Sequence, residues 1–247
     1  MRALADARLC LGFFTRLPAG APAGRPLADA IWAAPIAGGA VALLSGFALL
    51  AAHAAGAPPT VAAALALGAG VLATGALHED GLADVADGFG GGTTAARKLE
   101  IMRDSRIGTY GVVALALTLL LRWSALASVL ANDGPGVAVL ALLAAHAASR
   151  SLLPAMMRVL PRARGDGLSV RAGSPGAGTA ALALLLGAAA LLPLGLATSL
   201  IAAGLLVGWT SVLAWLALRH IGGQTGDVLG ALQQGAEVAV LCAASLV

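Results

Sequence analysis

The sequence predicts an all-α protein: a polytopic membrane bundle of about seven transmembrane helices, preceded by one helix lying on the membrane surface. Three observations carry this reading. Of the 247 residues, 59% are hydrophobic and 11% charged, and the mean hydropathy is +0.90, which excludes an ordinary water-soluble domain. Apolar runs long enough to cross a bilayer, each needing about 20 residues, recur along the whole chain. Of the 15 Lys and Arg residues, all but Arg122 and Arg150 fall outside the interiors of those runs in a one-sided pattern.

At the amino end, Leu4, Leu9, Leu11, Phe13 and Phe14 are interleaved with Asp6, Arg8 and Arg16. These charges interrupt the apolar core that a cleavable signal peptide requires, so an amphipathic interfacial helix is expected instead. Spans follow at roughly 31–55, 60–78, 110–131, 137–157, 177–194, 197–218 and 228–246, the fifth and sixth joined only by Leu192-Pro193-Leu194-Gly195. Ala, Leu and Gly dominate them, and small residues let helices approach closely in lipid. Residues 1–247 are therefore read as one integral membrane domain. Cys10 and Cys242 belong to no CxxC or Cys/His cluster, so neither a disulfide framework nor a zinc site is expected.

The basic residues set the orientation. With the first residues in the cytoplasm and seven spans, every Lys and Arg except Arg122 and Arg150 lies on a cytoplasmic segment. The opposite loops, near 56–59, 132–136 and 193–196, carry none. This satisfies the positive-inside rule. It also accounts for a pI near 9.5 without a nucleic-acid partner.

Against this apolar background, half of the 12 acidic residues lie between Glu79 and Glu100–Asp104, in the cytoplasmic segment of about 78–110. If the run from His78 to Gly88 is helical, Asp80, Asp84 and Asp87 fall at i, i+4 and i+7 on one face, with Leu82, Val85 and Ala86 opposite. Like charges stacked this way repel by a few tenths of a kcal/mol per pair even in water. A hard divalent cation removes that cost, and Mg²⁺ characteristically takes one or two carboxylates together with substrate phosphates. Gly88 and Gly90-Gly91-Gly92 are expected to end the helix, and Thr93 or Thr94 to cap the next. There Glu100 and Asp104 again share a face, while Arg97, Arg103 and Arg106 offer planar donors suited to phosphate oxygens. Two helices would thus present carboxylates to a common gap.

Other polar positions stand apart. Gly222-Gly223-Gln224-Thr225-Gly226-Asp227 is a glycine-rich turn in which backbone N–H groups can approach an anion and Asp227 can add a metal ligand. A polar turn capped by Asp227 explains the same residues. Arg164-Gly165-Asp166-Gly167 is a weaker signal of the same kind. Within the spans, Arg122 and Glu237 are expected to pair with each other, whereas Arg150, beside Ser149, is placed to reach an anionic substrate. His78 adjoins the carboxylates.

With these residues in view, the chain resembles the cobalamin synthase (adenosylcobinamide-GDP ribazoletransferase) family almost from end to end. The resemblance runs through Phe14-Thr15-Arg16-Leu17-Pro18, Pro35, Gly38 and the segment from His78 to Gly88. It continues through Glu100-Ile101-Met102-Arg103-Asp104-Ser105-Arg106-Ile107-Gly108, Arg150, and Gly222 to Asp227 with Gly230-Ala231. It implies a Mg²⁺-dependent phosphoryl transfer in a bacterial inner membrane. A hydroxyl of α-ribazole, or of its 5′-phosphate, attacks the cobinamide-linked phosphorus of adenosylcobinamide-GDP, giving adenosylcobalamin or its phosphate and GMP. Asp80, Asp84, Asp87, Glu100, Asp104 and Asp227 are then the metal-binding candidates, with Asp87 or Asp104 the alternative proton acceptor. Arg103 and Arg106 would hold phosphates, and Arg16, His78, Arg150 and Gln224 would contact substrate. The other partner is the lipid bilayer, and a homo-oligomer is compatible with the reading. Glu79 and the glycine-rich 90–94 linker depart from the family's pattern.

Two rivals are weighed. Asp84-x-x-Asp87-Gly88 opens a CDP-alcohol phosphotransferase motif, but Phe89-Gly90-Gly91-Gly92 stands where Ala-Arg should follow, and Glu100 and Asp104 come too early. A secondary transporter would show repeated halves and a site near the midplane, and neither is visible.

Overall fold

The computed structural model describes residues 2–20 and 24–246, and among them the chain is helical, with a single isolated bridge between Arg162 and Gln224. Helix α1 (Arg2–Phe14) buries Asp6, Cys10 and Phe14 against the chain that follows it. Asp6 is the pin: it accepts from the Arg25 guanidinium and, at 2.9 Å, from Trp32 Nε1. The hydrogen bond from Arg25 holds the Asp6 carboxyl below its ordinary range. The amphipathic helix is thus tied to the bundle as well as facing outward through Leu4. α2 (Leu27–Ala30) then runs through one 3₁₀ turn into α3 (Ala34–Ala54).

α4 (Pro59–Thr74) has 16 residues, about 24 Å of helix against a hydrocarbon core of about 30 Å. The span expected over 60–78 therefore stops short. Gly75 (φ 66°) and Ala76 (φ 58°) turn the chain through 90° into α5 (Leu77–Gly91). A left-handed residue is cheap for glycine and costs roughly 1–2 kcal/mol for alanine, so the surrounding contacts must favour the bend. α5 ends at Gly91, within the glycine run expected to stop it, with Gly92 as its C-cap. Thr94 caps α6 (Ala95–Ile101), accepting from the Arg97 N–H at 3.2 Å.

α7 (Thr109–Ser151) is continuous by hydrogen bonding over 43 residues but broken at Gly134 (φ 85°, ψ 175°), just before Pro135. Arg122 before the break and Arg150 after it both reach Glu237, so the segment folds back on itself as two arms. These arms correspond to the expected spans at 110–131 and 137–157. α8 (Leu153–Val159), α9 (Leu168–Ala172), α10 (Ala177–Leu191), α11 (Leu196–Ile221) and α12 (Gly226–Ser245) complete the chain. By length and composition five helical stretches can cross a bilayer, or six with the bent α4–α5 pair counted as one crossing. The expected seven differs because α7 is a single unbroken stretch by that measure, although at about 65 Å it is too long for one crossing.

α12 packs against α5, α7 and α11. Leu126, Leu142, Val240 and Leu241 pack in the core around it, while Leu43, Phe47, Leu72, Val207 and Leu185 point outward as lipid-facing residues do. Inside, Glu237 accepts from Arg122 Nη1 at 2.8 Å and Arg150 Nη1 at 3.1 Å, and bonds His146 Nδ1 at 2.6 Å. Arg122 and Glu237 thus pair as expected. Replacing Glu237 by Ala strands two buried guanidiniums, and loss of one partner from a buried ion pair typically costs about 3–5 kcal/mol. The variant should unfold at clearly lower temperature in detergent than a Leu241→Ala control.

Candidate active site

The site begins where α5 crosses the start of α12. A Cβ on Gly81 would fall 2.9 Å from the Asp227 carbonyl oxygen, and one on Gly230 would fall 3.0 Å from the His78 carbonyl oxygen. Only glycine lets the two backbones come this close. The crossing sets Asp227, on the first turn of α12, against the face of α5 that carries Asp80, Asp84 and Asp87. The negative charges of Asp80, Asp227 and Asp87 all act on Asp84, and Arg164 is the opposing charge. Arg164 Nη2 donates to Asp227 Oδ2 at 3.2 Å, and Thr225 Oγ1 donates to the same oxygen at 3.1 Å. Thr225, rather than Asp227, caps α12 by accepting from the Val228 N–H.

Asp87 is committed to backbone. Its Oδ2 accepts from the Gly108 N–H at 2.7 Å and its Oδ1 from the Gly111 N–H at 2.9 Å. These are donors at the beginning of α7, where free N–H groups and the helix dipole favour a carboxylate. The i, i+4, i+7 ladder expected from sequence is therefore real, but its last rung fastens α5 to α7.

The gap expected between α5 and α6 does not form. α6 has only seven residues and buries none of them, and it ends at Ile101, so Asp104 lies in the following turn and shares no helical face with Glu100. Glu100 pairs with Arg97 at 2.7 Å. Asp104 pairs with Arg106 at 2.6 Å, and hydrogen bonds from the Arg106 side chain and N–H hold its carboxyl down at about 2. Arg103 donates to Asp166 at 2.5 Å. The carboxylates gathered around Asp84 come from α5 and α12, and the arginine beside them is Arg164. Its Arg164-Gly165-Asp166-Gly167 context gave little warning, because nothing local links that loop to Asp227.

Beside the aspartates opens a cleft with about 100 Å³ of enclosed space. Asp80, Asp227 and the two crossing glycines form one end; Phe14, Leu27, Ile31, Leu153 and Met157 form an apolar wall. An adjoining open cavity of about 450 Å³ shares Asp80 and is bordered by Arg16, which is exposed. His78 stacks on Phe14, with ring centroids 5.8 Å apart, and borders the cleft. It is 4% exposed, and neither of its ring nitrogens has a hydrogen-bond partner. Gln224 is held by its backbone, its N–H donating to the Pro161 carbonyl at 2.8 Å and its carbonyl accepting from the Ala163 N–H at 3.0 Å. Its buried side-chain amide is unpartnered at both ends. Arg150 lies elsewhere: it is 1% exposed, and its Nη1 is bonded to Glu237 and to the His146 carbonyl within the bundle.

The family model for cobalamin-5-phosphate synthase matches residues 6–245. The chain belongs to that family. A relative from Mesorhizobium japonicum named adenosylcobinamide-GDP ribazoletransferase is 54% identical, over 98% of this chain and 93% of its own length. Proteins of the same name from Bradyrhizobium diazoefficiens and Azorhizobium caulinodans are 50% and 48% identical, covering 98% and 97% of this chain and 94% and 95% of theirs. No solved structure matches the chain.

Within this cobalamin-5-phosphate synthase fold, Asp87 and Asp104 should respond differently to substitution. Asp87→Ala removes the acceptor for two N–H groups and should lower stability by about 1–3 kcal/mol. It should also speed hydrogen exchange at Gly108 and Gly111. Asp104→Asn breaks only an exposed pair and should leave the unfolding temperature where surface substitutions leave it.

Proposed function

We propose that the chain joins adenosylcobinamide-GDP to α-ribazole, or to α-ribazole 5′-phosphate, releasing GMP and giving adenosylcobalamin or its 5′-phosphate. The observation that carries this is the pair Asp80 and Asp227 lining a cleft, with Asp84 beside them, in a chain belonging to the cobalamin-5-phosphate synthase family. Family membership also removes the CDP-alcohol phosphotransferase alternative.

The donor set suits Mg²⁺: carboxylate oxygens only, crowded together, with one arginine beside them. Among the described residues no three acidic, His or Cys side chains converge tightly enough to enclose an ion. One or two of Asp80, Asp84 and Asp227 would therefore hold it, with diphosphate oxygens completing its shell. When bound, Mg²⁺ neutralises the diphosphate and the departing GMP oxygen. The chain's own residues do the rest. Arg164 fixes Asp227, and Asp87 fixes α5 against α7. A carboxylate of Asp80 or Asp84 free of metal accepts the attacking hydroxyl's proton. That task does not suit Asp104, already paired with Arg106, or Asp87, whose oxygens serve α7. Arg16 borders the same space and offers a planar donor to phosphate. Arg103 and Arg106 sit in exposed ion pairs worth about 1 kcal/mol or less, so an incoming diphosphate can recruit them at small cost. Lipid surrounds the bundle, and the site faces the cytoplasm of a bacterial inner membrane, where the positive-inside pattern puts it.

Purified protein in detergent or lipid, given adenosylcobinamide-GDP, α-ribazole and Mg²⁺, should release GMP. Chelation by EDTA should abolish release and added Mg²⁺ restore it. Asp84→Asn should lower the rate by at least about 100-fold, the scale of one lost electrostatic or acid–base contribution. No GMP, with CDP-diacylglycerol consumed instead, would overturn the reading.

A further inference from the structure

We propose that the cleft beside Asp80 and Asp227 is the α-ribazole subsite, with the dimethylbenzimidazole base against the apolar wall and the ribose at the aspartate end. This rests on the ribazoletransferase reading and adds which of its two substrates the cleft takes. Size is the first argument. About 100 Å³ of the cleft is enclosed, below the roughly 300–1,000 Å³ of pockets that bury a whole ligand, so it admits the flat base of α-ribazole and leaves the ribose in its open mouth. Adenosylcobinamide-GDP is several times larger and must lie mostly outside, toward the adjoining cavity that Arg16 and Asp80 border.

Lining chemistry is the second argument. Phe14, Leu27, Ile31, Leu153 and Met157 all line the cleft. This surface matches a methylated aromatic ring. A guanine or adenine base would press exocyclic polar groups against it and leave them without partners. An acyl chain would match the wall but not the carboxylates at its mouth.

His78 supplies the third argument. It is buried, borders the cleft, and has no partner for either ring nitrogen. A neutral imidazole carries one N–H donor and one lone pair. The ribazole base has one nitrogen bonded to ribose and one with a free lone pair. The His78 N–H donating to that lone pair satisfies a group the folded protein leaves open. It also orients the sugar toward Asp80 and Asp227, where its hydroxyl must meet the phosphorus. Its stacking on Phe14, at 13° between ring planes, holds the plane of the ring.

The test uses the full chain in lipid nanodiscs and two readouts. In steady state, Leu27→Ala and Met157→Ala should raise KM for α-ribazole by about tenfold or more, the scale of a lost apolar contact in a binding pocket. KM for adenosylcobinamide-GDP should stay within about twofold. In equilibrium titration without the second substrate, the unmodified protein should bind α-ribazole at least about tenfold more tightly than the corresponding adenine riboside, and His78→Phe should weaken α-ribazole binding. A rise in KM for adenosylcobinamide-GDP alone would hand the cleft to the corrinoid nucleotide. A fall in kcat with neither KM changed would make the wall merely structural or lipid-filled. Equal binding of both ribosides by the unmodified protein would equally sink the assignment. If no GMP forms at all, the transferase reading fails, while the titration still decides the subsite.

Discussion

A carboxylate buried among lipid-facing helices is the point on which the bundle turns. Glu237 sits on α12 between Arg122 and Arg150, and so binds both arms of α7 to α12. Gln233 donates to the same carboxylate, while Gln234 reaches Glu79 on α5 at 3.1 Å and so draws that helix into the set. Charges inside a membrane protein are tolerated when they answer one another. Here one such group fixes the relative positions of three helices. Those three carry Asp80, Asp84, Asp87 and Asp227, so the chemistry at the surface inherits its geometry from polar contacts deeper down.

A division of labour among the acidic side chains follows. Each belongs to a pairing that either holds helices or remains open to ligand. Glu237, Glu79 and Asp87 hold helices; Glu100 and Asp104 occupy exposed ion pairs; Asp80 and Asp227 line the cleft, with Asp84 close enough to feel both charges. Burial separates these roles better than distance along the chain. Asp84 and Asp87 are one helical turn apart, yet Asp87 points its oxygens into the start of α7.

Much of this was legible in the sequence. Periodicity placed Asp80, Asp84 and Asp87 on one face, Thr94 was among the expected caps, and Arg122 was expected to meet Glu237. The reasons are local: helical spacing and the cost of a lone charge in lipid can be read from single segments. What was missed depends on contacts between distant segments. Nothing near Arg164 shows that it will face Asp227, and nothing near Arg150 shows that Glu237 will engage it in the interior. α6 was overextended because Glu100 and Asp104 have helical spacing, whereas the chain turns after Ile101. α4 was overextended because hydropathy continues through Gly75 and Ala76 while the backbone does not. The whole-chain resemblance carried the reaction further than any of these local signals could.

The long separation between Glu237 and its arginines also matters for how the molecule is born. A ribosome makes Arg122 and Arg150 well before Glu237, with 115 and 87 residues intervening by position difference. Both guanidiniums thus enter the bilayer before that partner exists, with Glu79 the earlier-made carboxylate within 3.6 Å of Arg122. Until α12 inserts, Arg150 lacks the carboxylate it meets in the finished bundle and Arg122 has Glu79 alone, so α12 completes the charge balance of the interior.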